Sequence, residues 1–179
     1  ACATCDGFFY KGLDVVVVGG GDTAAEEATY LAKLCTKVTL LVRRDEMRAS
    51  KAMQKRVFNT DNLEVLFNHE TKSINGEPGE IGVESVTALN NITGEETIIP
   101  AKGFFVAIGH TPNTSLFKDQ LDMDENGYLI IEAGTSKTKI PGVFAAGDVA
   151  DHVYRQAVTS AGTGCMAALD AERFLASQE

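Results

Sequence analysis

A glycine-rich turn between a buried strand and a helix constrains the fold of this chain more than any other feature. Leu13 to Val18 is a short apolar run rich in valine, which is typical of a parallel-sheet strand covered on both faces. Gly19 to Gly21 interrupt it, and from Asp22 the apolar residues recur at helical spacing. Lys37 to Val42 then predicts a second buried strand. This strand, helix, strand unit predicts half of a nucleotide-binding α/β fold.

The turn also fits the dinucleotide fingerprint G-x-G-x-x-A. In that pattern the first glycine makes the tight turn, the second lets the backbone approach a pyrophosphate, and the alanine lets the helix pack on the strand. Amides at the helix N-terminus would hold the phosphates. A turn that serves only the fold is the alternative, but the flanking strand and helix favour a nucleotide site. Its predicted residues are Gly19, Gly20, Gly21, Asp22, Thr23 and Ala24.

Three arginines follow the second strand. An NAD enzyme would place an acid there to bond the ribose 2′-hydroxyl, but this chain has Val42, followed by Arg43, Arg44 and Arg48. Guanidinium groups can grip a 2′-phosphate with paired donors and a permanent charge. The alternative is a solvated charged face that the two intervening acids partly neutralise. We predict NADPH as the cofactor.

A CxxC pair, Cys2 and Cys5, lies near the start of the sequence and is followed by Asp6. Two thiols so close can form and reopen a small disulfide, and the neighbouring carboxylate can move the proton that thiolate chemistry needs. A zinc site would need two more ligands, and no second close pair of cysteines or histidines occurs, so we predict no metal. Cys35 and Cys165 are expected to be packing residues on the apolar faces of helices.

The composition excludes several classes of partner. The 25 acidic and 16 basic residues give a net charge of −9, which provides no basic field for nucleic acid. No segment is apolar enough to cross a membrane or to act as a signal sequence, and the sparse cysteines favour a reducing, cytoplasmic setting. Because Ala1 is not an initiator methionine, we expect the natural chain to extend further toward its N-terminus.

The middle of the chain predicts a helix beyond Ser50, to about Phe58, and then an antiparallel meander. Its alternating segments are Leu63 to Phe67, Thr71 to Ile74 and Ile81 to Leu89. The apolar run Phe104 to Ile108 ends at Gly109, and both Ile108 and Gly109 are assigned to the cofactor site. We predict a doubly wound, Rossmann-like domain over residues 1–111.

Residues 112–179 are predicted to form part of a second domain. Strand candidates are Tyr128 to Ile131 and Val143 to Ala146, and a long helix is expected from Arg155 to Ser177. The residues expected on its buried face are Val158, Ala161, Cys165, Leu169 and Phe174.

A weaker signal surrounds the start of that helix. Gly147 and Asp148 end a predicted strand, and an acid at this place can bond a polyol or ribose. Arg155, Gln156 and Ala157 open the helix, whose N-terminus can stabilise negative charge on a reduced ring. From these residues alone, an ordinary strand end and helix cap are the favoured explanation.

Taken together, these residues resemble the low-molecular-weight thioredoxin reductases of the pyridine nucleotide-disulfide oxidoreductase family. The similarity runs from Cys2 to the last helix. The specific stretches are Cys2 to Tyr10, Gly19 to Ala24, Arg43 to Arg48, Gly109 to Thr114, Gly142 to Asp148 and Tyr154 to Leu169.

The resemblance implies a role for each group of residues. Cys2 and Cys5 form the redox disulfide, Asp6 is the acid/base, and Phe8 and Phe9 help to receive thioredoxin. The three arginines meet the NADPH 2′-phosphate. Asp148 bonds the ribityl chain of FAD, and the flavin ring lies by Arg155, Gln156 and Ala157.

The same resemblance implies a path for electrons, from NADPH through FAD to the disulfide and on to thioredoxin, in an intact homodimer. The family often has histidine where Val42 stands. It also has a first glycine fingerprint for the FAD adenosine, and no second fingerprint of this kind occurs here, so the FAD site is only partly present. Two alternatives stay open, a flavoprotein reductase of a peroxiredoxin and a non-catalytic NADP-binding module.

Overall fold

The computed structural model describes residues 3–77 and 82–178. The chain divides into two compact units, Ala1–Gly109 and His110–Glu179. In the first unit the elements are α1 (Ala3–Asp6), a 3₁₀ turn (Gly7–Tyr10), β1 (Asp14–Val18), α2 (Asp22–Leu31), β2 (Lys37–Val42), α3 (Lys51–Phe58), β3 (Leu63–Phe67), β4 (His69–Asn75), β5 (Ser85–Asn90), β6 (Glu96–Pro100) and β7 (Gly103–Val106). The assignment of an NADPH domain to residues 1–111 and an FAD domain to 112–179 stays a prediction.

A parallel four-stranded sheet, in the order β3-β2-β1-β7, forms the centre of the first unit. The predicted first and second strands pair in parallel, with Val16 opposite Thr39. The predicted assignment of Leu63–Phe67 to the antiparallel meander is wrong, because this segment pairs in parallel with β2 as an edge strand of the main sheet. The antiparallel sheet consists of β4, β5 and β6.

The two faces of the parallel sheet are covered differently. Alternate side chains of β1 point to opposite faces, so Val15 and Val17 pack in one cluster with α2 and α3, while Val16 packs in another with Val86 and Ala88 of β5. One face therefore carries helices and the other carries the antiparallel sheet. The unit is an α/β fold in which the meander occupies the place of the second helical layer of a doubly wound fold.

The helix α2 ends earlier than its apolar spacing suggests. Its last helical residue is Leu31, and Cys35 lies beyond it, buried in the core next to the helix layer. Cys35 is therefore a packing residue, as predicted, but not on a helix. The helix α3 begins as predicted after Ser50, whose side chain accepts a hydrogen bond from the Met53 amide.

The second unit has little regular structure before its long helix, α4 (Ala157–Ala176). The strand candidates at 128–131 and 143–146 take part only in isolated bridges, Met123 with Leu129 and Lys137 with Phe144. A small core contains Leu121, Leu129 and Ala145. Extended segments here have too few neighbours among the described residues to form a sheet.

The predicted buried face of α4 is wrong within the described residues. Val158 is 77% exposed and Leu169 is 44% exposed. Ala161 and Cys165 are exposed as well, and Phe174 is half-buried against the Phe144 ring. Across residues 3–77 and 82–178, no helix has both the length and the hydropathy needed to cross a bilayer.

Candidate functional site

The glycine turn after β1 is held tightly between neighbouring strands. The Gly19 amide donates to Leu41 O at 3.1 Å, and the Ala107 amide donates to Val18 O at 2.8 Å. Gly19 has a φ of +151°, and a Cβ there would lie 2.2 Å from Ala107 O and 2.7 Å from Ala24 Cβ. Both observations require glycine, as the fingerprint predicts.

The other two glycines have more space around them. A Cβ at Gly20 would come within 3.1 Å of Val42 Cγ1, whereas a Cβ at Gly21 would meet no atom within 4 Å. Gly21 precedes the first helical residue, Asp22, so the open space lies at the N-terminus of α2. Thr23 is exposed there and Ala24 is fully buried. A ligand can therefore approach the backbone of this turn.

A cavity of about 360 Å³ adjoins the turn at the carboxyl ends of β1 and β2. Its lining brings together six of the residues predicted to bind a cofactor. They are Gly19, Gly20, Arg43, Arg44, Arg48 and Ile108. The fingerprint and the arginine cluster, which lie far apart in sequence, thus meet in one place.

The three arginines of the cavity are not neutralised by the acids between them. Four ion pairs occur within the described ranges, and none of them includes Arg43, Arg44 or Arg48. Hydrogen bonds to the carbonyls of Arg43 and Arg44, from Asn91 and Asn68, hold only the backbone. The guanidinium groups of the three arginines therefore form no ion pair within the described residues and are suited to binding an anion.

Four polar residues of the cavity wall have no predicted role in the site. They are Glu46, His69, Glu70 and Thr71. His69 Nδ1 lies 2.6 Å from Phe67 O, which fixes the ring at the start of β4. Thr71 Oγ1 is buried and has no hydrogen-bond partner. His69, Glu70 and Thr71 have no local signal, because only the position of β4 beside β2 brings them to the cavity, whereas Glu46 lies in the loop between Arg44 and Arg48.

The thiol motif lies at the start of the described chain. Cys2 falls outside the described residues, so the geometry of the predicted pair is not described. Cys5 is exposed within α1, and Asp6, the last residue of that helix, is half-buried. Phe8 and Phe9 follow, 69% and 76% exposed. Exposure of two large apolar rings to water is unfavourable, and such a surface next to a thiol in the sequence is typical of a site of contact with another protein.

The remaining predicted cofactor residues lie in or beside the second unit. Gly109 has a φ of +100°, which suits glycine, but it does not line the cavity. Asp148 is exposed at a 3₁₀ turn (Gly147–Val149) rather than at a strand end, and it accepts a hydrogen bond from Ser160 Oγ at 3.0 Å. Gly147 donates to Thr163 Oγ1 at 3.0 Å.

The turn before α4 is organised by an acid that the sequence analysis did not identify. Asp151 accepts hydrogen bonds from the amides of Val153, Tyr154 and Arg155, at 2.8–3.0 Å. Burial tends to raise its pKa, but these bonds outweigh burial and hold the pKa below its usual value. Arg155 has a φ of +50°, and Gln156 and Ala157 follow as the cap and first residue of α4.

The other two cysteines differ from one another. Burial raises the pKa of the Cys35 thiol, which suits a packing role. Cys165 is exposed on α4, so its predicted packing role is wrong within the described residues. No group of three or more His, Cys, Asp or Glu side chains among those residues could hold a metal ion.

Comparison with known proteins identifies the family of this chain. The model of the family described as pyridine nucleotide-disulphide oxidoreductase matches residues 1–164. The chain belongs to this family. The thioredoxin reductase of Streptomyces clavuligerus is 54% identical over 176 residues, which cover 98% of this chain and 54% of that protein. The thioredoxin reductase of Dictyostelium discoideum is 55% identical over 179 residues, 99% of this chain and 55% of that protein.

Solved structures of family members have the same fold. A thioredoxin reductase from Streptococcus pyogenes matches with a TM-score of 0.88 and 39% identity, over 98% of this chain and 56% of that one. The enzyme from Giardia duodenalis matches with a TM-score of 0.82 and 48% identity, over 98% and 57%. The resemblance to thioredoxin reductases is confirmed. The chain spans about half the length of these relatives.

Proposed function

We propose that this chain carries the NADPH site and the redox thiols of a thioredoxin reductase, together with part of its FAD site. The observation that carries the proposal is the cavity in which the glycine turn meets three unpaired guanidinium groups. A dinucleotide with an added phosphate is the ligand class that needs both features. The names of the relatives supply the reaction.

The residues of the cavity suit NADPH. The open space at Gly21 and the first amides of α2 would receive the pyrophosphate, with Gly19, Thr23 and Ala24 shaping the turn. Arg43, Arg44 and Arg48 would hold the 2′-phosphate. The exposed Ile108 offers an apolar surface at the same cavity.

The thiol pair would be the exit for electrons. When both cofactors are bound, hydride transfer from NADPH to FAD makes two electrons available. The Cys2–Cys5 disulfide would accept them and become a dithiol. One thiolate would attack the disulfide of thioredoxin, and the other would resolve the mixed disulfide, which leaves thioredoxin reduced and the pair oxidised. Asp6 would move the protons, and Phe8 and Phe9 would contact the partner.

The FAD contacts would come from the second unit. Asp148 and Gly147 would meet the ribityl chain, and Arg155, Gln156 and Ala157 the ring. The hydrogen bonds of Asp151 to the turn before α4 support this, because they fix the backbone up to Arg155, the first of those three residues. The proposal also includes a reducing, cytoplasmic compartment and a homodimeric intact enzyme.

The test is a pair of titrations with NADP⁺ and NAD⁺ on the purified chain. Replacing both Arg43 and Arg44 with glutamine should weaken NADP⁺ binding by roughly a hundredfold or more, since each of the two charge-assisted hydrogen bonds is worth about 1.5–3 kcal/mol. NAD⁺ binding should stay nearly unchanged because it has no 2′-phosphate. Arg56→Gln, an exposed cation on α3 outside this cavity, is the control. Equal losses for both nucleotides would refute the assignment.

A further inference from the structure

The loop between β2 and α3 carries all three arginines, and its conformation is fixed by the glycine turn. The amides of Arg48 and Ala49 both donate to Gly20 O, at 2.7 and 3.0 Å. The next amide, that of Ser50, donates to Asp22 Oδ1 at 2.9 Å. Three consecutive amides of the loop are therefore held by two residues, Gly20 in the glycine turn and Asp22 at the start of α2.

Of the two acceptors, Gly20 O belongs to the backbone and Asp22 Oδ1 belongs to a side chain. Hydrogen bonds from the Ser50 amide and from its side chain hold the pKa of Asp22 below its usual value, so the carboxylate is charged at neutral pH. A negative charge in the first turn of α2 is also favoured by the helix dipole. The carboxylate is thus committed to the loop.

The far side of the loop is anchored as well. Ser50 caps α3 through the Met53 amide, and Gln54 Nε2 donates to the carbonyls of Met47 and Ala49 at 3.2 and 2.7 Å. Because the backbone is held on both sides of Arg48, the side chain of this arginine extends from a fixed point of the cavity wall.

The fingerprint predicts Asp22 as a cofactor-binding residue, but charge disfavours a direct contact between its carboxylate and the cofactor. A carboxylate placed against a pyrophosphate or a 2′-phosphate would repel it, and Oδ1 already accepts from Ser50. We propose that Asp22 is a positioning residue, which sets the Arg48 end of the loop so that the phosphate site exists before NADPH arrives. This inference rests on the proposed 2′-phosphate site.

Removal of the Asp22 hydrogen-bond acceptor should therefore weaken the binding of NADP⁺ but not that of NAD⁺. Losing the Ser50 bond would let the loop sample other conformations, and binding would then have to order it again. Because the bond lies at the surface, we expect Asp22→Ala to weaken NADP⁺ binding by roughly five- to tenfold. NAD⁺, which uses the glycine turn but not the arginines, should bind within about twofold of the wild-type chain, which would also show that the fold is intact.

The matched variant is Asp22→Asn, whose side-chain oxygen can still accept from Ser50. It should restore NADP⁺ affinity to within about twofold, since the acceptor rather than the charge orders the loop. Tighter NADP⁺ binding by both variants would mean that Asp22 repels the phosphate, and this would overturn the positioning role. Equal losses for NADP⁺ and NAD⁺ would overturn it too, because they would mean a damaged turn.

A double-mutant cycle with Arg48→Gln tests whether Asp22 acts through that arginine. The effect of Asp22→Ala should shrink when Arg48 is already absent, because the ordered loop then has less to position. Full additivity would overturn the role. If the Arg43 and Arg44 variants also lost no NADP⁺ affinity relative to NAD⁺, the proposed 2′-phosphate site itself would be wrong. If those variants lost NADP⁺ affinity alone while Asp22→Ala bound both nucleotides as wild type does, only the positioning role would be wrong.

Discussion

At the scale of single residues, the wall of the cavity contains a hydroxyl group that costs stability. Thr71 Oγ1 is buried without a hydrogen-bond partner, on the strand position opposite the buried Ala88. A buried donor that makes no bond loses its hydration without compensation. Such a cost is understandable where a ligand supplies the missing partner.

Replacing Thr71 with valine separates these two effects. The isosteric change should stabilise the chain without nucleotide by about 1 kcal/mol, because it removes an unsatisfied hydroxyl. It should weaken NADP⁺ binding by roughly fivefold if the hydroxyl bonds the cofactor. Thermal unfolding and a titration measure the two quantities.

The control for this change is Thr87→Val. Thr87 is also buried on the antiparallel sheet, but its hydroxyl accepts a hydrogen bond from Asn75 Nδ2 at 3.0 Å. This variant should lose stability and bind NADP⁺ normally. If Thr71→Val behaved in the same way, the link between its hydroxyl and the cofactor would be wrong.

The thiol pair allows a second test at the scale of single residues, and it needs no flavin. The chain is first reduced with dithiothreitol, which is then removed. Each reduced chain should reduce one disulfide of oxidised thioredoxin. Cys5→Ser should abolish this transfer, because the remaining thiol cannot resolve a mixed disulfide. Cys165→Ser, which removes an exposed thiol on α4, should transfer as the wild-type chain does. Reduction by Cys5→Ser at the wild-type level would remove the pair from the mechanism.

Residue type and spacing predicted the arginines of the site but not its opposite wall. Arg43 and Arg44 directly follow a buried strand, so their place at the sheet edge is a local property of the sequence. Glu70 and Thr71 reach the cavity only because β4 folds over the sheet beside β2. Non-local pairing of this kind has no signal in a single sequence.

At the scale of elements, the strands covered on both faces were the easiest to predict. The bounds of β2 match the apolar run from Lys37 to Val42, since a central parallel strand has no polar face. Leu63–Phe67 is an edge strand with the exposed Glu64 inside it, so its alternating pattern equally fits a strand of an antiparallel ribbon. Burial pattern indicates a strand but does not choose its partner.

The strand, turn, helix unit depends on one glycine more than on its neighbours. Gly19→Ala should destabilise the chain by more than about 3 kcal/mol, because the new Cβ would meet Ala107 O at 2.2 Å and backbone cannot move aside cheaply. Gly21→Ala should stay within about 1 kcal/mol of wild type, since nothing lies within 4 Å, yet it should weaken NADP⁺ binding by filling the space for phosphate. Chemical denaturation and titration would measure both. Equal stabilities for the two variants would contradict this account of the turn.

At the scale of the whole molecule, the two units differ in how well they bury their apolar residues. The first unit has continuous apolar clusters on both faces of its sheet. In the second, α4 has the apolar periodicity of a buried helix, but none of its residues is buried within the described chain. Apolar periodicity indicates that one face of a helix is suited to packing. It does not show that the described residues contain an apolar surface for that face to pack against.

This difference leads to a prediction about cofactors. The purified chain should bind NADP⁺ through the cavity of the first unit but should not retain stoichiometric FAD. In the proposed function, Asp148 and the residues around Arg155 would supply only ribityl and ring contacts, and the given sequence contains no second glycine fingerprint for the adenosine. A ligand held at one end must still lose its conformational freedom, so the remaining contacts should not hold it through dilution.

The measurement is gel filtration after incubation with excess FAD, followed by the absorbance spectrum of the protein peak. We expect a colourless peak that still binds NADP⁺ in a titration, which shows that the first unit is folded. An Asp148→Asn variant should then look the same as wild type, because there is no bound flavin for the substitution to release. A yellow peak with one flavin per chain, reduced in Asp148→Asn, would contradict the prediction and show that the second unit alone builds a sufficient site.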